Sequence, residues 1–246
     1  MRRKRLLLHA VAAVAVTASF VQAQVVYQND SFVSGTFSGF NNSATTETEN
    51  NWVANSFQVI AGGTRLTSYT FLTSLPATNR AITLAIYLGS SLTNPQAGGG
   101  LTRVATTNTT YSAAANTFVT VALSSPFSLS IGDVFYAAVL LQGVAGSEFP
   151  WASDNGSSGN PVALGRSFFD VGATQGAAYN LDVTSRAVVL GGTHTVVGGG
   201  VQGPGNLILR VNADTVPEPG TVALVGMGIV GLLLAHRRRA ARAANV

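Results

Sequence analysis

The sequence contains no cysteine, so it has no disulfide, no thiol nucleophile and no thiolate metal ligand. Charge is scarce as well: Asp, Glu, Lys and Arg make up 10% of the 246 residues. Four bases open the chain (Arg2, Arg3, Lys4, Arg5) and four close it (Arg237, Arg238, Arg239, Arg242). Between Gln24 and Gly220 there is no lysine, and six arginines face all ten acids. That middle is therefore net −4 within a chain that is +4. It lacks the clustered bases that phosphate binding needs, which excludes nucleic acid as a partner. No long apolar period of 3.6 residues occurs in it either, which argues against a helical body.

Catalytic side chains are equally sparse. The body holds one histidine, His194, in "GGTHTVVGGG", where glycine-rich sequence is a poor mount for the rigid base of a Ser-His-Asp triad. No G-x-S-x-G elbow is present. A glycosidase needs two acids across the scissile bond. Candidates are Glu47, Glu49, Asp133, Glu148, Asp154, Asp170 and Asp182; Glu47 and Glu49 fall in a polar loop, Asp133 in a turn after Gly132, and Glu148 and Asp154 flank Trp151 in a stretch of the acid and aromatic character that sandwich loops commonly carry. The expectation is a non-enzymatic protein, with a polysaccharide-active enzyme using a carboxylate pair as an alternative.

What is present is concentrated at the ends. "MRRKRLLLHAVAAVAVTASFVQAQ" has a positive start, an apolar run from Leu6 to Phe20, and Val21 and Ala23 at the −3 and −1 positions of a cleavage site. This pattern predicts a signal peptide over residues 1–23, cut by signal peptidase between Ala23 and Gln24. Residues 214–246 form a second unit, "DTVPEPGTVALVGMGIVGLLLAHRRRAARAANV". Its uncharged run, Thr221–Ala235, is fifteen residues. At ~1.5 Å per residue that is roughly 22 Å of helix, against a hydrocarbon core of ~30 Å. Flanking residues and snorkelling arginines extend the reach, giving a single transmembrane helix over about 220–236. Arg237, Arg238 and Arg239 begin a basic tail, 237–246, and act as the membrane stop on the cytoplasmic side.

Val216-Pro217-Glu218-Pro219, then a glycine-bearing apolar helix, then an arginine cluster, resembles the PEP-CTERM sorting signal. The resemblance covers roughly the last thirty residues. It implies recognition by an exosortase, removal of the tail near Pro-Glu-Pro, a Gram-negative envelope and an association with exopolysaccharide or biofilm matrix. Pro217 and Pro219 lack N–H donors and favour extended backbone, which suits a strip gripped by a processing enzyme. The expected itinerary is export, a transient stay in the inner membrane, then the cell surface or the extracellular space.

The body, residues 24–213, reads as short β runs separated by Gly, Asn, Ser and Pro. "AITLAIYLG" sets Ile82, Leu84, Ile86 and Leu88 on one face, and "FVTVAL" does so with Val119, Val121 and Leu123. "NLILRVN" points Leu207, Leu209 and Val211 one way and Arg210 the other. "DVFYAAVLL" is apolar on both faces, as a central strand covered on both sides would be. Glycines at 62–63, 89, 98–100, 132 and 198–200 mark the turns. The fold class is all-β, an antiparallel β-sandwich. Across Asn51 to Ser153, "NSFQVIAGGTRLTSYTFL", "ITLAIYLGSSLTNPQ", "FSLSIGDVFYAAVLL" and "PWAS" resemble a jelly-roll-type domain of bacterial surface proteins.

Two binding features remain. Trp151 with Asp154 and Asn155 offers a stacking face and hydroxyl partners for a sugar, and Trp52 with Asn50 and Asn51 offers a second such set; against both stands the usual burial of tryptophan in a core, which Phe149 and Pro150 favour at Trp151. No cofactor is required. A structural calcium has Asp30 and Asp154 as its candidate ligands, though neither stands in an EF-hand spacing. The leading expectation is a structural or adhesive protein linked to exopolysaccharide, with a carbohydrate-binding module centred on Trp151 as the alternative.

Overall fold

The structure is a computed structural model. It describes residues 24–30, 37–39, 48–145, 152–154, 166–172, 188–189, 206–214, 228–229 and 231–233. The chain divides into two compact units, Gln24–Val216 and a second made of Met1–Ala23 with Pro217–Val246. In the second, residues 228–229 and 231–233 are helical and Ile229, Leu232 and Leu233 are exposed. Among the described residues no helix is long and apolar enough to cross a membrane. The rest of the expected span, 220–236, lies outside them, as do residues 1–23.

The first unit is built from antiparallel sheets. One has four strands in the order β1 (Gln24–Tyr27), β12 (Leu209–Asp214), β4 (Arg65–Thr73), β7 (Thr117–Ser128). The other has six, in the order β11 (Val188–Val189), β10 (Ser167–Gly172), β3 (Thr48–Gln58), β8 (Val134–Ala145), β5 (Ala77–Gly89), β6 (Thr102–Ala113). A small ribbon pairs β2 (Phe37–Gly39) with β9 (Ala152–Asp154). The main strands pair first with last and inward: β1 with β12, β3 with β8, β4 with β7, β5 with β6. This is one long hairpin rolled into two sheets, the jelly-roll arrangement.

Period-two patterning places the core. Val53, Phe57, Leu84, Ile86, Phe135 and Val139 from the six-stranded sheet share one buried cluster with Leu66, Tyr69, Phe71, Val121, Leu209 and Val211 from the four-stranded sheet. Edge-on ring contacts cross between the sheets, Tyr27 to Phe135 at 5.2 Å and Phe71 to Tyr111 at 5.3 Å. The alternate residues of β3, β5, β8 and β10 form a second buried cluster on the outer face of the six-stranded sheet: Trp52, Tyr87, Tyr136, Leu140 and Phe168 with small alanines between. β8 lies inside its sheet and contributes to both clusters, which is why its stretch Val134–Leu141 is apolar on both faces.

The β5–β6 connection lies over that outer face. Leu101 packs on it, the Tyr136 hydroxyl donates to Ser91 O at 2.5 Å, and Ser56 Oγ donates to Leu92 O at 2.5 Å. Burial raises the phenols of Tyr69 and Tyr136 above their ordinary range, so both remain protonated donors. A short 3₁₀ turn, Ala97–Gly99, is the helical element of this connection.

The expected turn glycines divide into two kinds. Gly62 (φ 85°) and Gly132 (φ 93°) occupy left-handed backbone at turns. Gly63 and Gly89 are required for room instead: a β-carbon there would run into the Tyr27 hydroxyl and the Tyr136 ring respectively. Gly198–Gly200 lie outside the described residues.

Candidate functional site

The sequence predicts two processing junctions, and the fold brings the body-side ends of these two stretches together. β1 and β12 are antiparallel neighbours in the register Gln24↔Asp214. Gln24, the first residue expected after signal-peptide removal, is exposed. Asp214 is the last residue of β12 and lies two residues before Val216. Its carboxylate meets Arg65 Nη1 at 3.4 Å, which ties the end of β12 to the start of β4. Both partners are partly exposed, so this pair contributes little to stability. Ala23, Val216, Pro217, Glu218, Pro219, Arg237, Arg238 and Arg239 lie outside the described residues.

The connections at this end of the sandwich are braced. Tyr27 on β1 donates its hydroxyl to Gly63 O at 2.9 Å and accepts from Ile60 N at 3.1 Å. Burial raises its phenol too, while the bond from Ile60 acts the other way. Val59 N donates to Asp133 O, and Gly132 N donates back to Val59 O, both at 2.9 Å. The β3–β4 and β7–β8 connections are thereby locked to each other and to β1.

The proposed binding residues fall differently. Trp52 belongs to the core: it is fully buried, its Nε1 donates to the Tyr87 hydroxyl at 3.3 Å, and its ring meets Tyr87 edge-on at 5.9 Å. It offers no face to a sugar. Trp151 and Asn155 lie outside the described residues. Asp154 closes β9, with its backbone opposite Phe37.

Asp30 is completely buried, and Arg210 grips it with two nitrogens: Nε lies 3.1 and 3.3 Å from the two carboxylate oxygens, and Nη2 lies 2.6 Å from Oδ1. The Arg210 guanidinium also sits 4.9 Å from the Phe118 ring centre. The carboxylate offered above as a calcium ligand is thus engaged by a guanidinium. Among the described residues no group of three His, Asp or Glu side chains is placed to hold a metal ion. Asp133 accepts from Ser130 N at 2.8 Å within its turn. Glu47, Glu148, Asp182 and His194 lie outside the described residues; Glu49 and Asp170 are placed by backbone register alone, on β3 and β10.

A buried polar cluster went unnoticed in the sequence. Asn55 Nδ2 donates to Leu207 O at 3.0 Å and to Leu209 O at 2.8 Å, while Ser167 Oγ donates to Asn55 Oδ1 at 2.6 Å. Leu207 N donates to Ser167 Oγ at 3.0 Å. Nearby, Asn29 Nδ2 reaches Ser56 O at 3.2 Å. These bonds clamp the approach to β12 against β3 and β10, and they satisfy each other, so the cluster reads as a structural fastener.

Comparison with known proteins agrees with the C-terminal pattern. Residues 215–239 match the family model for the PEP-CTERM protein-sorting motif. No curated protein matches the sequence. Among solved structures the chain is similar to the clostridial cysteine protease Cwp84 after propeptide cleavage, with a TM-score of 0.41 and 14% identity over 78% of this chain and 40% of that one. It is also similar to the cysteine protease and lectin-like domains of Cwp84, a surface layer associated protein of Clostridium difficile, with a TM-score of 0.39 and 16% identity over 78% and 36% of the two chains. The chain spans less than half the length of these solved chains.

Proposed function

We propose, from the PEP-CTERM sorting motif this chain carries, that it is exported, held briefly in the inner membrane of a Gram-negative cell, and sorted by an exosortase to the cell surface or the surrounding matrix. The motif match at residues 215–239 is the observation that carries this reading. Signal peptidase removes residues 1–23, and the apolar run after Gly220 anchors the chain while the exosortase acts near Pro217-Glu218-Pro219. The delivered jelly roll has a structural or adhesive role alongside exopolysaccharide. Its composition supports that role: a cysteine-free body with little charge and few candidate catalytic side chains suits an exposed, chemically inert shell. The described Asp30, Asp133 and Asp214 carboxylates are each held by a local partner.

Replacing Pro217, Glu218 and Pro219 together by alanine tests the sorting step. The expected product is a longer, membrane-held form that accumulates in the cell envelope, seen by immunoblot of fractionated cells. Processing identical to that of the unaltered chain rules the motif out as the recognition element.

A further inference from the structure

Among the described residues of the sandwich, four large apolar side chains are exposed: Val26 (45%), Ile60 (54%), Phe118 (42%) and Ile131 (62%). Single exposed apolar residues are ordinary and need no explanation. Their placement here is not ordinary. Ile60 and Ile131 share one end of the sandwich and Val26 lies two residues in from it on β1, opposite Asn212, while Phe118 is at the other end, paired with Leu72 near the end of β4. The shared end is the one at which Gln24 and Asp214 lie side by side, next to Arg65 and its partner Ser128.

The two isoleucines project from braced turns. Gly63 N donates to Ile60 O at 3.1 Å across a turn with Gly62 at φ 85°, and Asp133 N donates to Ser130 O at 3.1 Å across a turn with Gly132 at φ 93°. The Val59 exchange with Gly132 and Asp133 joins the turns, a bond from Leu129 N to Thr64 O at 2.8 Å adds to it, and the Tyr27 hydroxyl fixes the first turn. Turn tips that face water usually carry Ser, Asn or Asp, and these backbone bonds would form with any such residue at 60 or 131. Folding therefore does not ask for isoleucine at either tip.

Chain length says what lies opposite this end. From Asp214 to the start of the apolar run at Thr221 is seven residue steps. Fully extended they reach at most roughly 25 Å. While the tail is in the membrane, Asp214 stays within that reach of the bilayer surface. The described charges at this end are Arg65, paired with Asp214; Asp133, capped by Ser130 N; and Arg103, exposed at the start of β6, whose cation suits an anionic headgroup.

We propose that this end is a lipid-contacting surface: Ile60 and Ile131 at the two braced turn tips, with Val26 on the flank, enter the headgroup–acyl boundary and stand the sandwich upright on the bilayer during sorting. Shallow apolar insertion beside a covalent anchor adds a second attachment of the kind that peripheral proteins use. It also keeps Asp214, and hence the approach to Pro217-Glu218-Pro219, close to the depth where a membrane enzyme works. This inference rests on the tail-anchoring reading.

The test uses the full chain in vesicles of phosphatidylethanolamine and phosphatidylglycerol. Because the sequence has no cysteine, Ile60→Cys, Ile131→Cys and Ala115→Cys each give a unique labelling position. Ala115 is exposed in the turn between β6 and β7, at the far end. β5 alone spans 13 residues between the two ends, roughly 40 Å at ~3.3 Å per residue. A small bimane label at 60 or 131 is expected to shift to the blue and to be quenched by nitroxide-bearing lipid, while the label at 115 behaves as in water. If the chain floats with the vesicles but 60 and 131 are quenched no more than 115, the lipid-contacting surface is refuted and the anchor stands. A blue shift without lipid quenching points to a second copy at this surface and refutes the proposal as well. If the chain fails to float, the anchoring reading falls, and this inference falls with it.

Discussion

Arg210→Met should lower the unfolding free energy of the sandwich by about 3 kcal/mol, because it leaves a buried carboxylate without its guanidinium. Asp30 has no exposed side-chain surface, and Arg210 keeps 20% of its own. Two of its nitrogens hold the carboxylate oxygens at 2.6 to 3.3 Å, a geometry that a methionine sulfur cannot replace. The methionine keeps the packing of the stem, so the loss reports the charge. The contact with Phe118 adds about 0.5–1 kcal/mol to what is removed. Asp30→Asn combined with Arg210→Met is expected to recover most of the stability, since the pair's own desolvation offsets much of its attraction. Urea denaturation followed by fluorescence measures both. A loss below about 1 kcal/mol for the single change would mean that the carboxylate is not sealed from water as the structure has it.

Asn55→Leu should cost a similar amount, about 3 kcal/mol, for a different reason. The leucine fills the volume but silences three hydrogen bonds at once: those to Leu207 O and Leu209 O, and the one from Ser167 Oγ. Each buried group left unsatisfied carries its own desolvation penalty of about 1–3 kcal/mol, partly relieved where a second partner remains. Ser167 keeps its bond from Leu207 N, so the total stays below the sum. The change should also loosen the start of β12, read as faster amide exchange over residues 207–211 relative to β8. Unchanged exchange there would show that the approach to β12 is held by strand pairing alone.

The parts of the fold that were legible in the sequence are those set by local alternation. "AITLAIYLG" and "NLILRVN" assign their faces because neighbouring residues on a strand must point oppositely, whatever lies across the sheet. "DVFYAAVLL", apolar on both faces after Asp133, announced a strand covered on both sides, and β8 feeds two separate clusters. What stayed hidden depends on distant partners. Nothing near "QNDSF" says that Asp30 will meet an arginine 180 positions away. Nothing near Trp52 says that the β5–β6 connection will fold over its sheet; only the general burial of tryptophan favoured core over a sugar platform there. The glycines at 63 and 89 looked like turn formers, but a neighbour's side chain, not a backbone angle, demands them.

The candidate site was legible for another reason. A sorting signal is read by its enzyme as extended sequence, so its information is linear, and Val216-Pro217-Glu218-Pro219 with its apolar and basic followers needs no fold to be recognised. The meeting of Gln24 with Asp214 is the opposite case: it is a property of the jelly roll, in which the first and last strands become neighbours. Ile60 and Ile131 passed unnoticed because an isoleucine beside a glycine turn reads as the end of a strand. Only the braced turns show both side chains facing out.

The central claim, that both ends are routing segments removed from a jelly roll on its way out, is tested most directly by the intact mass of the protein recovered from the cell surface. The account predicts a polypeptide that begins at Gln24 and stops close to Pro217-Glu218-Pro219, with any further mass carried as an attachment at that new end. A recovered chain that still holds both Met1 and Val246 contradicts it.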